Sequence, residues 1–327
     1  MLLYALYCQF KTLPEPKGPF TDQIVIVTGA NGGIGLEAAR HYVRLDAKKV
    51  ILAVRNLESG HDAKKSIEET TKRTDVVEVW HLDYLSLDSV KAFCNKVSKE
   101  LCRLDIVALN AGIATASWRV SQDGYEEGLQ VNVISTALLA NLLLPKMYAT
   151  ADQFKVTPRL TILSSESHVQ ASLDKIPKDQ PIIEFLNKED HYTLGDYYTI
   201  SKLLEIIYFK QVVKYIPERE PGKPKVILNI VDPGLCSSNL LRERPNPLYP
   251  YIKMILARPL EVGGATIVNG GENDNFETHG KYLMSCMVYP PSPYVRSEAG
   301  QTDGEKLFKE MTDILYKIAP ESKSIYQ

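Results

Sequence analysis

The sequence predicts an α/β protein in which a parallel β-sheet is covered on both faces by helices, and three observations carry that prediction. Short runs of β-branched and other apolar residues, such as IVIVT from residue 24 and KVILAV from residue 49, recur along the chain; runs of this kind suit strands buried on both faces. Between them lie segments with apolar residues three to four apart, and strands that alternate with helices make parallel neighbours joined by crossovers. Finally, the runs end in polar or glycine residues: Thr28-Gly29, Arg55, Asp83, Asn110-Ala111-Gly112, Ser164-Ser165 and Asp232-Pro233-Gly234. Such a sheet binds ligands at the carboxyl ends of its strands, so chemistry is expected at that edge.

Each element can be justified in turn. The first strand runs into TGANGGIG, residues 28 to 35, and then into a helix whose Ile34, Ala38 and Ala39 share one face. At this strand-to-helix turn the first amide groups of the helix lack internal partners and the macrodipole is positive, so a pyrophosphate can bind without a dedicated cation. Glycine allows close approach of the diphosphate and of the helix to the sheet. Gly29, Gly33 and Gly35 fit TGxxxGxG, while Gly29, Gly32 and Gly35 fit TGxxGxxG, and the turn alone does not choose between them. KVILAV is the second strand, followed by a charged helix near 58 to 73; VVEVWHLD is the third, followed by a helix near 86 to 101. LDIVALN is the fourth strand and leads into a long helix through GLQVNVISTALLANLLLPKM. RLTILSS is the fifth, and the segment from Glu166 to Asp196 shows no clear period. YYTISKLLEIIYFKQVVKYI is helical, KVILNIV is the sixth strand and GKYLMSC the seventh.

Composition narrows the function. A chain of 327 residues with 44% hydrophobic content can bury a large core, and a single domain over 20–327, preceded by an arm and linker over 1–19, is expected. A formal charge of −2 and no Lys/Arg cluster longer than a pair offer nucleic acid no basic face. Cys8, Cys94, Cys102, Cys236 and Cys286 are scattered and form no CxxC pair, which argues against a disulfide framework and against zinc and suits a cytoplasmic protein. The opening MLLYALYCQF is too short to span a bilayer and lacks the marks of a signal peptide; it reads as a packing arm, with weak interfacial membrane contact as the alternative.

At the predicted edge, Arg55 stands where an NAD enzyme would carry a carboxylate for the ribose 2′-hydroxyl. A guanidinium suits a 2′-phosphate instead, which favours NADP(H). Asp83 could accept from the adenine amino group. Tyr198 and Lys202 in YTISK are four residues apart on a helix and share a face, so the ammonium favours the phenolate and makes the tyrosine usable as an acid or base. Ser165 could hold the substrate oxygen.

Together TGANGGIG, Asp83, NAG (110 to 112), Asn132 in VNV, SS (164 to 165), YTISK (198 to 202) and DPG (232 to 234) resemble, in this order, the short-chain dehydrogenase/reductase family over about residues 22 to 285. The resemblance implies a doubly wound Rossmann fold with seven parallel strands in the order 3-2-1-4-5-6-7, and the NAG signature and short chain match the compact members, with TGxxxGxG. It implies a catalytic set of Asn132, Ser165, Tyr198 and Lys202. Tyr198 would protonate the carbonyl oxygen, Lys202 would bind the nicotinamide ribose and depress the tyrosine pKa, and Asn132 would hold a water in the proton relay. Cofactor contacts would come from Gly29, Asn31, Gly32, Gly33, Ile34, Gly35, Arg55, Asp83, Asn110, Ala111, Gly112, Tyr198, Lys202, Pro233, Gly234 and Ser238, with Asn110 near the adenosine ribose and Ser238 at the diphosphate. Thirty-two residues separate Ser165 from Tyr198, a long insert like that of retinol-dehydrogenase-like members and of the fungal reductases that the chain resembles most.

That insert, about 166–197, with His168, His191 and Tyr192, is expected to wall the substrate pocket, and a proline-rich stretch within about 235–262 to form a lid. Trp118, Tyr192, Tyr249, Tyr251 and Met254 lie in segments expected to rim the pocket. The expected activity is NADPH-dependent reduction of a carbonyl, or oxidation of an alcohol, on a fairly large apolar molecule, in a chain that can form homo-oligomers. A non-catalytic NADP(H)-binding sensor or scaffold is the alternative.

Overall fold

The computed structural model describes residues 8–192, 196–240, 243 and 249–322. Its main sheet is built from β1 (Ile24–Thr28), β2 (Lys49–Val54), β3 (Val77–His81), β4 (Ile106–Leu109), β5 (Arg159–Leu163), β8 (Ile227–Asp232), β9 (Tyr282–Met284) and β10 (Met287–Tyr289). A separate hairpin joins β6 (Glu218–Glu220) and β7 (Lys223–Pro224). The main sheet runs in the order 3-2-1-4-5-8-9-10, so its first seven strands have the predicted doubly wound arrangement and are parallel. The eighth is a correction: β10 pairs antiparallel with β9. Ser285 and Cys286 between them adopt the left-handed conformation, with φ of 53° and 61°, which lets a two-residue connection turn the chain back.

Seven main helices cover the sheet: α1 (Gly33–Arg44), α2 (Leu57–Thr71), α3 (Leu87–Glu100), α4 (Glu127–Phe154), α5 (Asp196–Val212), α6 (Leu260–Gly270) and α7 (Glu298–Ile318). Strand residues alternate between the faces. Val25, Val27, Val50 and Leu52 pack against Ala38, Tyr42, Ile67 and Ile267 of α1, α2 and α6, while Ile24, Ile26 and Ile51 face the side covered by α3, α4 and α5. Burial of both faces explains the unbroken apolar runs of the sequence. Helix α4 is long and apolar enough to cross a membrane, yet 83% of its apolar window is buried inside the protein, so it is a core helix.

The insert after Ser165 packs into the core. Ile182, Ile183 and Leu186 of its short helix are buried in the core, and Glu310 of α7 accepts from the amides of Ile182, Ile183 and Glu184 at that helix's start. The insert is thereby fastened to the C-terminal helix. His191 stacks on Phe185 with ring centres 3.8 Å apart, and among the described residues no group of His, Cys, Asp or Glu could hold a metal.

Candidate active site

The switch in strand order lies between β1 and β4, and the glycine turn leaves β1 at that point. Gly29 has φ +65°, and a Cβ there would meet the Ala111 Cα at 3.1 Å. Gly35 is closer still: its Cβ would stand 2.8 Å from the Gly29 carbonyl oxygen and 2.4 Å from the Asn110 side-chain nitrogen. Around Gly32 the equivalent space is open. The turn is thus packed against β4 on one side and clear on the other. Helix α1 takes its first bond from the Leu36 amide to the Gly32 carbonyl, which leaves the preceding amides of Gly33, Ile34 and Gly35 outside the helical ladder and fit for an anion. The Ile34 side chain turns to α6, where a Cβ on Gly263 would meet it at 2.6 Å.

Asn110 serves the turn itself. Its side-chain amide donates to the Thr28 carbonyl at 2.8 Å and to that of Gly29 at 3.4 Å, while the backbone amides of Asn110 and Ala111 both donate to the Thr28 hydroxyl at 3.0 Å. The Asn110 side-chain nitrogen is thus spent on tying β1 to β4. Asn31 reaches Ser59 of α2 at 3.1 Å. Arg55 is exposed at the end of β2, and among the described residues no carboxylate lies within salt-bridge distance of it. Asp83 is half-buried and its Oδ1 accepts from the Leu85 amide at 2.9 Å, so one of its oxygens stabilises the local turn.

The chemistry converges at the ends of β4 and β5. Helix α4 contains a π-turn over Gln130–Ser135, which carries Asn132. The side chain of Asn132 accepts from the Ile113 amide and donates to the Ile113 carbonyl, each at 2.9 Å, and donates to Ser201 of α5 at 2.9 Å. It braces the loop after β4 against α5. A Cβ on Gly112 would meet Asn132 Oδ1 at 3.3 Å and Lys202 Nζ at 3.6 Å.

Tyr198 shares a hydrogen bond with Ser165, and the Lys202 ammonium lies 5.9 Å from the centre of the tyrosine ring. Burial raises the Tyr198 pKa, and Lys202 and Ser165 pull it back. The adjacent Tyr197 is turned elsewhere: it is buried and donates to the Leu186 carbonyl at 2.7 Å. Lys202 donates to the Leu163 carbonyl at 2.9 Å and to Glu205 at 2.9 Å. Glu205 is missing from the sequence reading, because three residues after a lysine on a helix it looks like one half of a surface pair.

His168, in the insert, packs beside Ser165. It is 1% exposed, accepts at Nε2 from the Ser292 amide at 3.0 Å and therefore donates from Nδ1 to the Ser165 carbonyl at 2.7 Å. Burial depresses its pKa to about 4. The unfolded chain, with an ordinary value near 6.5, binds the proton more readily, so the neutral ring contributes its full stability above about pH 6.5 and loses it as pH falls toward 4. The expected loss is about 3 kcal/mol. Urea unfolding at pH 7 and pH 4.5 should show a smaller drop for His168→Gln than for the parent; equal drops would place the pH dependence elsewhere.

The remaining candidates sit in the segment that follows β8. Gly234 has φ +73° and donates to Asp232 Oδ1 at 3.1 Å; the Pro233 carbonyl accepts from Arg258 at 2.9 Å. Ser238 comes to the glycine turn, 3.9 Å from a Cβ on Gly33. The N-terminal arm fastens this segment: Gln9 donates to the carbonyls of Leu235 and Leu256 at 2.8 and 2.7 Å and accepts from the Leu235 amide at 3.0 Å. Trp118 packs edge-on against Tyr192 and Tyr197, with ring centres 5.7 and 6.4 Å away, and forms a half-buried aromatic wall. Met254, expected on the pocket rim, is 76% exposed, while the side chains of Tyr249 and Tyr251 lie outside the described residues.

The family pattern of the short chain dehydrogenases matches residues 23–155. The chain is 44% identical to the short chain dehydrogenase/reductase dmxR8 of Cryptosporiopsis sp., over 96% of this chain and 97% of that protein. It is 42% identical to the short chain dehydrogenase atnD of Emericella nidulans, over 85% and 89%. Among solved structures, a short chain dehydrogenase of Escherichia coli CFT073 complexed with NADPH superposes with a TM-score of 0.58 at 22% identity, covering 83% of this chain and 99% of that one.

Proposed function

Since the chain belongs to the short-chain dehydrogenase/reductase family and is an oxidoreductase using a nicotinamide cofactor, we propose that it is an NADPH-dependent carbonyl reductase acting on a fairly large apolar ketone. The observation that carries this reading is the convergence of Ser165, Tyr198 and Lys202 beside a glycine turn that is packed on its sheet side and open on the other. The turn suits NADP(H): the helix amides of α1 would take the diphosphate, with Ser238 beside them, and Arg55 would take the 2′-phosphate. Bound there, the cofactor supplies the hydride.

The protein's own groups supply the rest. Ser165 donates a hydrogen bond to the carbonyl oxygen and fixes it beside Tyr198. Tyr198 gives its phenolic proton to that oxygen as negative charge develops on it, and its raised pKa keeps the proton available at neutral pH. Lys202 stabilises the phenolate left behind, and Asn132 acts through the brace it makes between α4, α5 and the loop after β4. The fungal origin of the similar proteins supports a ketone of secondary metabolism, met in the cytoplasm. NADPH consumption over a panel of aromatic and terpenoid ketones tests the reading; tight NADPH binding with no turnover on any of them would favour a sensor or scaffold.

The aromatic wall should select substrate without touching the cofactor. Trp118→Ala is expected to raise KM for a large apolar ketone about tenfold, the worth of one aromatic contact of about 1.4 kcal/mol. NADPH affinity, read by fluorescence, should stay within about twofold, since Trp118 lies away from the glycine turn. Parallel loss of NADPH binding in a folded variant would contradict this placement.

A further inference from the structure

Lys202 and Glu205 are 5% and 2% exposed and 2.9 Å apart. Ion pairs one turn apart on a helix are ordinary at a surface, where they are solvated and contribute little. Burying one costs several kcal/mol per ion before the mutual attraction is counted, so this pair is an expensive way to hold a lysine that the Leu163 carbonyl already anchors at 2.9 Å. Its position gives it another effect. An isolated ammonium about 6 Å from a phenol in a desolvated site would draw the tyrosine toward its phenolate. A carboxylate on the same ammonium turns that charge into a short dipole, whose field at the phenol is weaker and falls faster with distance.

We propose that Glu205 is a positioning residue of this site: its carboxylate holds the Lys202 ammonium against Leu163 and offsets part of the ammonium's field on Tyr198, so that the phenol keeps its proton and the site is set for carbonyl reduction. The proposal rests on Tyr198 being the proton donor. The groups that face Glu205 are Lys202 and Tyr198 on its own helix, Tyr84 from the loop after β3 and Ser164 from the end of β5; Asp232 at the end of β8 also acts on Tyr198. Lys202 is the sole cation in that set. Glu205 and Asp232 push Tyr198 up against the pull of Lys202, and Glu205 holds Lys202 above the usual lysine value despite its burial; burial raises Glu205 itself to about 7 against the pull of Lys202, so its carboxylate is fully present on the alkaline side of neutrality, where the phenol titrates.

The experiment is an ultraviolet titration of phenolate in the full-length protein, with the Tyr198→Phe protein subtracted, run beside the pH profile of ketone reduction. In Glu205→Gln the Tyr198 signal should move about one pH unit lower, and the alkaline limb of reduction should move with it. Glu205→Asp, whose carboxylate is withdrawn by one methylene, should shift both in the same direction by less, and it decides the question if the glutamine variant fails to fold. A titration that coincides with the parent in the folded variants would overturn the proposal. A shifted titration in a protein that reduces no ketone would leave the electrostatic role intact and refute the carbonyl-reductase reading instead.

Discussion

Tyr198→Phe should lower turnover about 10²- to 10⁴-fold while leaving NADPH affinity nearly unchanged. The magnitude is the usual worth of a positioned proton donor. Its location follows from helix geometry: Tyr198 lies four residues before Lys202 and shares its face, whereas Tyr197 is rotated away by about 100°. The structure gives the two phenols separate partners, Ser165 for Tyr198 and the Leu186 carbonyl for Tyr197. Tyr197→Phe should accordingly keep most of the activity, with a modest loss of stability from the unpaired Leu186 carbonyl, about 1 kcal/mol. Steady-state kinetics of both variants, with NADPH binding measured separately, decide the assignment. Full turnover by Tyr198→Phe, or loss confined to Tyr197→Phe, would overturn the mechanism.

Arg55→Asp should reverse cofactor preference. Removing a charge-assisted contact to a 2′-phosphate costs about 1.5–3 kcal/mol, a factor of roughly 10 to 150 in NADPH efficiency, and the new carboxylate both repels the phosphate and accepts from a 2′-hydroxyl. The position suits the role: parallel pairing sets Thr28 beside Ala53, so Arg55 emerges two residues further along, next to the turn that starts at Gly29. Its exposure and the absence of a carboxylate partner among the described residues leave the guanidinium available to an incoming anion. The ratio of kcat/KM for NADPH and NADH in parent and variant is the measurement. Equal efficiencies in the parent would remove Arg55 from the cofactor site.

The legible parts of this protein were those that depend on periodicity or on a backbone requirement. Strands buried on both faces show as unbroken apolar runs, and Gly29 and Gly35 are glycines because the backbone conformation of one and the tight packing of the other leave no room for a side chain. What stayed hidden depends on contacts between distant segments. The hairpin to β10 turns through Ser285 and Cys286, neither of which signals a left-handed turn. The π-turn at Gln130–Ser135 leaves no mark in the apolar pattern of α4. Asn110 sits in a site motif, yet its amide serves the scaffold; Glu205 looks like solvent-facing charge and is buried because α5 runs through the core. The insert seemed aperiodic because its fixed points, such as the capping of Ile182 by Glu310, lie on α7.

The Gln9 clasp has a consequence in time as well as in space. Its bonds to Leu235 and Leu256 span sequence separations of 226 and 247 residues, so they close a loop containing most of the chain. On a ribosome, Gln9 waits for a further 247 residues before both of its partners exist. Contacts of such long range form after the local ones, and the segment they tie down is held as well by Arg258, which donates to the carbonyls of Cys8 and Gln9, and by Cys8, which is buried in the core. The segment after β8 is therefore completed late in synthesis, through a residue made long before its partners.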